Sequence, residues 1–138
     1  MTELLLLDTN VVVWFTLKPE KLPSHIKQKI DLELQNGTVM ISSITLWEIA
    51  MLAEKKRINI FEPLASFLQS IAEIKGLTVL EISPMIAAES VRLPDNFHGD
   101  PSDRIIVASA LCNGGTLLTK DRKILDWAQM GHIKALEA

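Results

Sequence analysis

The chain has 138 residues, 48% of them hydrophobic and only 5% aromatic, which suits one compact domain over residues 1–138 with an aliphatic core and excludes a disordered or fibrous chain. Its formal charge of -3 excludes binding nucleic acid by broad phosphate neutralisation, but not a nucleic-acid enzyme that draws positive charge from a metal ion. A single cysteine, Cys112, excludes a disulfide framework and a thiolate metal cluster, and reads as a small buried hydrophobe.

Leu4 to Leu7 is a continuous apolar run closed by Asp8-Thr9-Asn10, as expected of a central parallel strand covered on both faces. It is far too short to span a bilayer and lacks a secretory signal's basic flank, so no membrane association and a cytoplasmic location are expected. Val11-Val12-Val13 would make the strand unusually long, so a helix is expected from near Asp8, followed by a loop at Lys18 to Ser24. Ile26, Ile30 and Leu34 recur at helical spacing before the stop signal Asn36-Gly37. Thr38 to Ile41 is a second strand, and Ser42 or Ser43 caps a helix carrying Glu48. Leu64, Phe67, Leu68, Ile71 and Ile74 mark another helix, with Pro63 in its first turn and Gly76 at its end. Leu77 to Ile82 is a strand, Ser83-Pro84 opens a helix, and Leu93 to Gly99 is irregular. Arg104 to Cys112 is helical, Asn113-Gly114-Gly115 stops it, Thr116 to Thr119 is a strand, Asp121 starts a last helix, and Ile133 to Leu136 is a candidate edge strand. Strands alternate with helices throughout, which predicts an α/β/α sandwich on a mainly parallel sheet.

Ligands of such a sheet bind along the edge formed by the carboxyl ends of its strands. Topology places Asp8, Asp121 and Glu48 there, whereas the spacing of Asp100 and Asp103 does not by itself bring them to that edge. Taken singly, Asp8, Asp100 and Asp121 read as helix N-caps, with Asp103 placed as in a capping box. Glu48 is too far into its helix to be a cap. It is the only charged residue between Ile44 and Ala53, and an unpaired carboxylate in buried surroundings costs about 3 to 5 kcal/mol, so its partner must come from elsewhere in the chain or from a metal.

Several carboxylates around one cleft repel each other unless a cation sits among them. All these donors are oxygens, which favours Mg²⁺ or Mn²⁺ over zinc. One or two such ions could bind a phosphate and activate water, which is phosphodiester hydrolysis. The histidines do not alter this: His25 and His132 read as surface residues, and His98 adjoins the acidic segment without a clear role. Trp14, Trp47 and Trp127 read as core or interface anchors. The basic runs Lys55-Lys56-Arg57 and Lys120 with Arg122-Lys123 read first as solvated faces.

Four segments, Leu6-Leu7-Asp8-Thr9-Asn10, Ser42 to Ala50 around Glu48, His98 to Ala110 around Asp100 and Asp103, and Leu118-Thr119-Lys120-Asp121, together resemble the PIN-domain ribonucleases, above all the VapC toxins of VapBC toxin-antitoxin pairs. The resemblance covers essentially the whole chain. It implies a sheet of about five parallel strands, an Mg²⁺- or Mn²⁺-dependent endoribonuclease acting on RNA, often a homodimer, and a cognate VapB-like antitoxin that holds it inactive. By position, Asp8, Glu48, Asp103 and Asp121 match the family's acidic quartet. Asp8 and Asp103 would be the principal metal ligands, Glu48 would position or deprotonate the attacking water, and Asp121 would complete the shell. Thr9, Asn10 and Thr119 match supporting polar positions, and Asp100 is the alternative to Asp103.

Two other functions fit the residues. A receiver- or phosphatase-like phosphoryl-transfer protein would use Asp8 as nucleophile, although Asn10 stands where the phosphatase pattern needs a second acid. A non-enzymatic partner-binding domain would use the acidic cleft to dock a basic peptide.

Overall fold

The computed structural model describes residues 3–97 and 99–138; His98 lies outside them. β1 (Leu5–Leu7) is followed by α1 (Thr9–Leu17), a 3₁₀ turn (Pro19–Lys21), α2 (Ser24–Asn36), β2 (Val39–Ser42) and α3 (Ser43–Glu54). The chain continues through α4 (Leu64–Ala72), β3 (Leu77–Leu80), α5 (Pro84–Ser90), α6 (Pro101–Asn113), β4 (Thr116–Thr119), α7 (Arg122–Ala128) and β5 (Lys134–Glu137). Every strand pairing is parallel, in the order β3-β2-β1-β4-β5.

The central strands are apolar at consecutive positions because both their faces are covered. Leu5, Leu7, Val39, Ile41 and Leu118 point into one core with α1, α2 and α4, whereas Leu6, Met40 and Leu117 point into the other with α5, α6 and α7. Packing also settles the Val11 to Val13 run. These β-branched residues form α1, where Val11 is 0% and Val12 2% exposed, so burial outweighs their modest helix propensity.

Some expected boundaries shift. Lys18 to Ser24 is not wholly loop, because the 3₁₀ turn occupies part of it. Pro63 is the N-cap of α4 rather than a first-turn residue, and α4 ends at Ala72, leaving Ile74 and Gly76 in the connection to β3. α6 begins at Pro101, before Arg104. Cys112 is partly rather than fully buried, and its surroundings push its thiol pKa up, burial first and Glu89 second.

Gly76 is a position that only glycine fits. Its φ is 91°, and a Cβ there would stand 1.9 Å from the Leu34 carbonyl oxygen at the end of α2. Gly76→Ala should destabilise the protein by at least about 1–3 kcal/mol from backbone strain alone. A lowered urea midpoint with an unchanged slope checks this; an unmoved midpoint would contradict the placement of this turn.

Candidate active site

The strand order changes direction at β1, since the chain builds outward through β2 to β3 and then returns to add β4 on β1's other side. A crevice opens outside the carboxyl ends of strands at such a switch. Here it is a cleft of about 290 Å³ whose lining includes Asp8, Glu48, Asp100, Asp103 and Asp121.

Asp8 leaves β1 and caps α1. It is 5% exposed, and both its oxygens are held: Thr9 N donates to Oδ1 at 2.8 Å and Thr119 Oγ1 donates to Oδ2 at 2.7 Å. Thr119 Oγ1 in turn accepts from Asp121 N at 3.0 Å, and Asp121 caps α7 by accepting from Lys123 N at 2.8 Å. The end of β4 thereby braces the end of β1.

Glu48 lies on α3, whose start is capped by the Ser42 side chain. The sequence suggests deep burial, but Glu48 is only half-buried, because its face of α3 opens onto the cleft. The partner it needs from elsewhere is Thr9 of α1, whose hydroxyl donates to Glu48 Oε1 and lies 3.1 Å from the Thr45 hydroxyl.

Asp100 and Asp103 reach the same cleft for a topological reason that their spacing hides. A helix leading into a parallel strand runs back across the sheet, so the N-terminus of α6 lies at the carboxyl edge. Asp100 caps α6 by accepting from Asp103 N at 2.9 Å. The preceding loop is pinned by Arg104, which donates to the carbonyls of Phe97 at 2.7 Å and Ser90 at 3.1 Å, and by Trp127 Nε1, which donates to the Pro94 carbonyl at 2.8 Å. Gly99 allows a close approach here, since a Cβ would stand 2.3 Å from the Phe97 ring and 2.8 Å from Asp103 Cβ.

The electrostatics record the convergence. Burial pushes the Asp103 pKa up to about 7 from 3.8, with further upward pushes from Asp100, Asp8, Asp121 and Glu48 in that order. Burial also raises Asp8, against the opposing hydrogen bonds from Thr119 and Thr9 N, with Asp121 and Asp100 adding to the rise. Glu48 is raised by burial and by Asp8 and Asp100, with the Thr9 and Ser102 hydroxyls pulling the other way.

Sequence reasoning missed Thr45 and Ser102 and read Lys55 and Arg57 first as part of a solvated basic run; all four touch these side chains or line the cleft. Helical periodicity was a usable signal for Lys55, two turns beyond Glu48 on the same face. Nothing local to Ser102 announces it. Trp47, read as an anchor, is 56% exposed beside the cleft, whereas Trp127 is 5% exposed and packs edge-on against Phe97 with ring centroids 5.2 Å apart.

The PIN domain family model matches residues 5–129. The chain belongs to the PIN domain family. It is 38% identical over 119 residues to Ribonuclease VapC22 of Mycobacterium tuberculosis, an alignment covering 86% of this chain and 88% of that protein. Among solved structures, a chain of DNA-bound VapBC from Salmonella typhimurium superposes with a TM-score of 0.67 at 23% identity, covering 99% of this chain and 98% of that one. VapBC2 from Rickettsia felis, bound to a promoter DNA fragment, gives 0.71 at 20% identity, covering 96% and 97%. These structural likenesses carry the fold of this PIN domain.

The donor set of the cleft fits a hard cation, being carboxylate and hydroxyl oxygen with no lining His or Cys among the described residues. Among the described residues no three His, Cys, Asp or Glu side chains stand close enough to close on one ion. No helix among the described residues is long and apolar enough to cross a membrane.

Two outcomes test this geometry. Thr119→Val removes a donor from a buried carboxylate and should cost about 1.5–3 kcal/mol in chemical denaturation; a neutral effect would contradict the brace. Asp103 has a folded pKa raised above its ordinary value, so the folded state holds a proton that the unfolded chain has lost. Stability of the metal-free protein should therefore fall as pH rises from about 4 to about 7, and Asp103→Asn should flatten that decline. Asp8 and Glu48 act in the same direction. A melting midpoint that rises over this window would contradict the assignment.

Proposed function

We propose that this PIN domain is a metal-dependent endoribonuclease that hydrolyses RNA phosphodiester bonds as the toxin of a toxin-antitoxin pair. The observation that carries the reading is the convergence of Asp8, Glu48, Asp100, Asp103 and Asp121 on one cleft, in a chain 38% identical to a ribonuclease. A Mg²⁺ or Mn²⁺ ion held there would neutralise the substrate phosphate and lower the pKa of an attacking water.

Asp8 and Asp103 would be the principal ligands in this reading, and Asp121, with no three acids among the described residues close enough to hold one ion directly, would complete the shell through bound water. Asp8 is pre-oriented, because Thr9 N and the Thr119 hydroxyl occupy one lone pair on each oxygen and leave others for an ion. Asp103, half-buried and facing all four other acids, suits the ligand role better than Asp100, whose carboxylate is committed to capping α6. Glu48 positions the attacking water and takes its proton; its raised pKa brings it nearer the range of an effective base, and the Thr9 hydroxyl fixes its direction. Asn10 lines the cleft beside Thr9.

An Asp8 phosphoryl-enzyme is disfavoured by the burial of Asp8 and by Asn10, which stands where the phosphatase pattern needs a second acid. The VapBC complexes among the structural neighbours support a VapB-like antitoxin as partner. In this reading the acidic cleft would accept a basic side chain of that antitoxin. A homodimer and a cytoplasmic location belong to the same reading. Exposed Trp47 and Met85 offer apolar surface for association.

Purified protein should cleave RNA with Mg²⁺ or Mn²⁺ and stop when the metal is chelated. Substitution of groups that merely support metal ligands typically costs about 10–100-fold, so Asp8→Asn and Asp103→Asn should each lower cleavage by at least about 100-fold without unfolding the protein. Added Mg²⁺ or Mn²⁺ should raise the melting midpoint of the wild type and not of the variants. Metal-independent cleavage, or full activity in either variant, would overturn the proposal.

A further inference from the structure

A second groove, of about 530 Å³, adjoins the acidic cleft and shares Asn10, Leu52 and Arg57 with it. Its charge differs from the cleft's, where Lys55 and Arg57 stand among five acids. Lys18, Lys21 and Arg57 line it, and no Asp or Glu does so among the described residues. Acids outnumber bases 17 to 14 in the whole chain, so a lining with cations alone is a local departure from the protein's overall charge. Trp14 and Phe61 line the same groove, and Phe61 is 97% exposed, so its ring contributes almost nothing to the core. Lys120 Nζ lies 6.0 Å from the Trp14 ring centroid, bringing another cation to this side.

Cations interleaved with aromatic faces, continuous with a site that would cut a phosphodiester, make a track for a single strand. The geometry points to this groove as the binding site for the RNA flanking the scissile phosphate. Lys18, Lys21 and Arg57 contact backbone phosphates, and a base stacks on Phe61. This assignment rests on the nuclease reading and adds to it the residues that hold the substrate outside the acidic cleft. The volume lies within the roughly 300–1,000 Å³ of small-ligand sites, which suits a flanking nucleotide rather than a folded domain. The three cations, with no lining acid among the described residues, favour a polyanion as occupant, and the aromatic and aliphatic lining (Trp14, Phe61, Leu17, Ile58) suits its bases.

The test measures binding of a fluorescein-labelled single-stranded RNA of about 12 nucleotides and mixed sequence by anisotropy in an Asp103→Asn background, across a salt series. Phe61→Ala should weaken binding about tenfold without changing the salt slope. The double variant Lys18→Ala and Lys21→Ala should weaken it and reduce the slope of log K against log salt by about 1.4, at about 0.7 per phosphate contact. With Asp103 intact, both should raise KM for RNA cleavage and leave kcat unchanged. Phe61, Lys18 and Lys21 are outside the core, and unchanged thermal melts would confirm that the variants fold.

Binding and KM within twofold of the parent, in a protein that cleaves RNA, would overturn the groove assignment and leave the nuclease reading standing. So would variants that keep RNA binding but lose a protein partner, since the groove would then belong to that partner. RNA binding that depends on the groove, without any cleavage by the wild type, would overturn the nuclease reading alone.

Discussion

The mutual repulsion of five carboxylates gathered at one sheet edge governs this structure. Asp8, Glu48, Asp100, Asp103 and Asp121 share a partly desolvated cleft, and Asp103 carries the clearest mark of their proximity. Such a cluster persists without a cation only if each acid is held by something else or carries a proton, as the raised pKa of Asp103 allows. Asp8 is held by Thr9 N and Thr119, Asp100 by the first turn of α6, Asp121 by the first turn of α7, and Glu48 by the Thr9 hydroxyl. Capping a helix and lining the cleft are therefore not competing explanations for these aspartates. Helices that follow or precede parallel strands begin at the carboxyl edge, so their caps and the positive ends of their dipoles face the crevice.

The scaffold makes this arrangement rigid. β1 sits between β2 and β4 with both faces buried, and the Asp8–Thr119–Asp121 chain of hydrogen bonds ties the exits of β1 and β4 together. On the other side, Arg104 and Trp127 bind the irregular segment before α6 by its backbone carbonyls, which fixes where Asp100 and Asp103 emerge. A loop without regular structure is thus set by polar anchors that lie in neighbouring helices.

Charge is partitioned rather than balanced. The formal value of -3 hides an acidic cleft beside a groove lined by Lys18, Lys21 and Arg57. Total charge speaks to broad attraction for nucleic acid, whereas the reach of a phosphate to a particular Lys or Arg depends on local fields screened within about 10 Å. A protein of this composition has the means to handle RNA at one site without coating its surface in cations.

The sequence by itself determined the alternation of strands and helices, the two-sided burial of Leu5 to Leu7, the caps at Asp8, Asp100 and Asp121, a serine cap at Ser42 or Ser43, and the arrival of Asp8, Glu48 and Asp121 at one edge. These follow from forces acting within a turn or along a strand, so a local reading recovers them. Only the tertiary structure decided that Asp100 and Asp103 join that edge, that Glu48 faces the cleft half-buried with Thr9 as its donor, and that Arg57 lines the cleft. The separation of Thr9 from Glu48 and of Asp8 from Thr119 along the chain carries no local signal. Their contacts exist because burying both faces of β1 requires β2 and β4 to flank it, and that packing brings the helices of distant segments against one crevice.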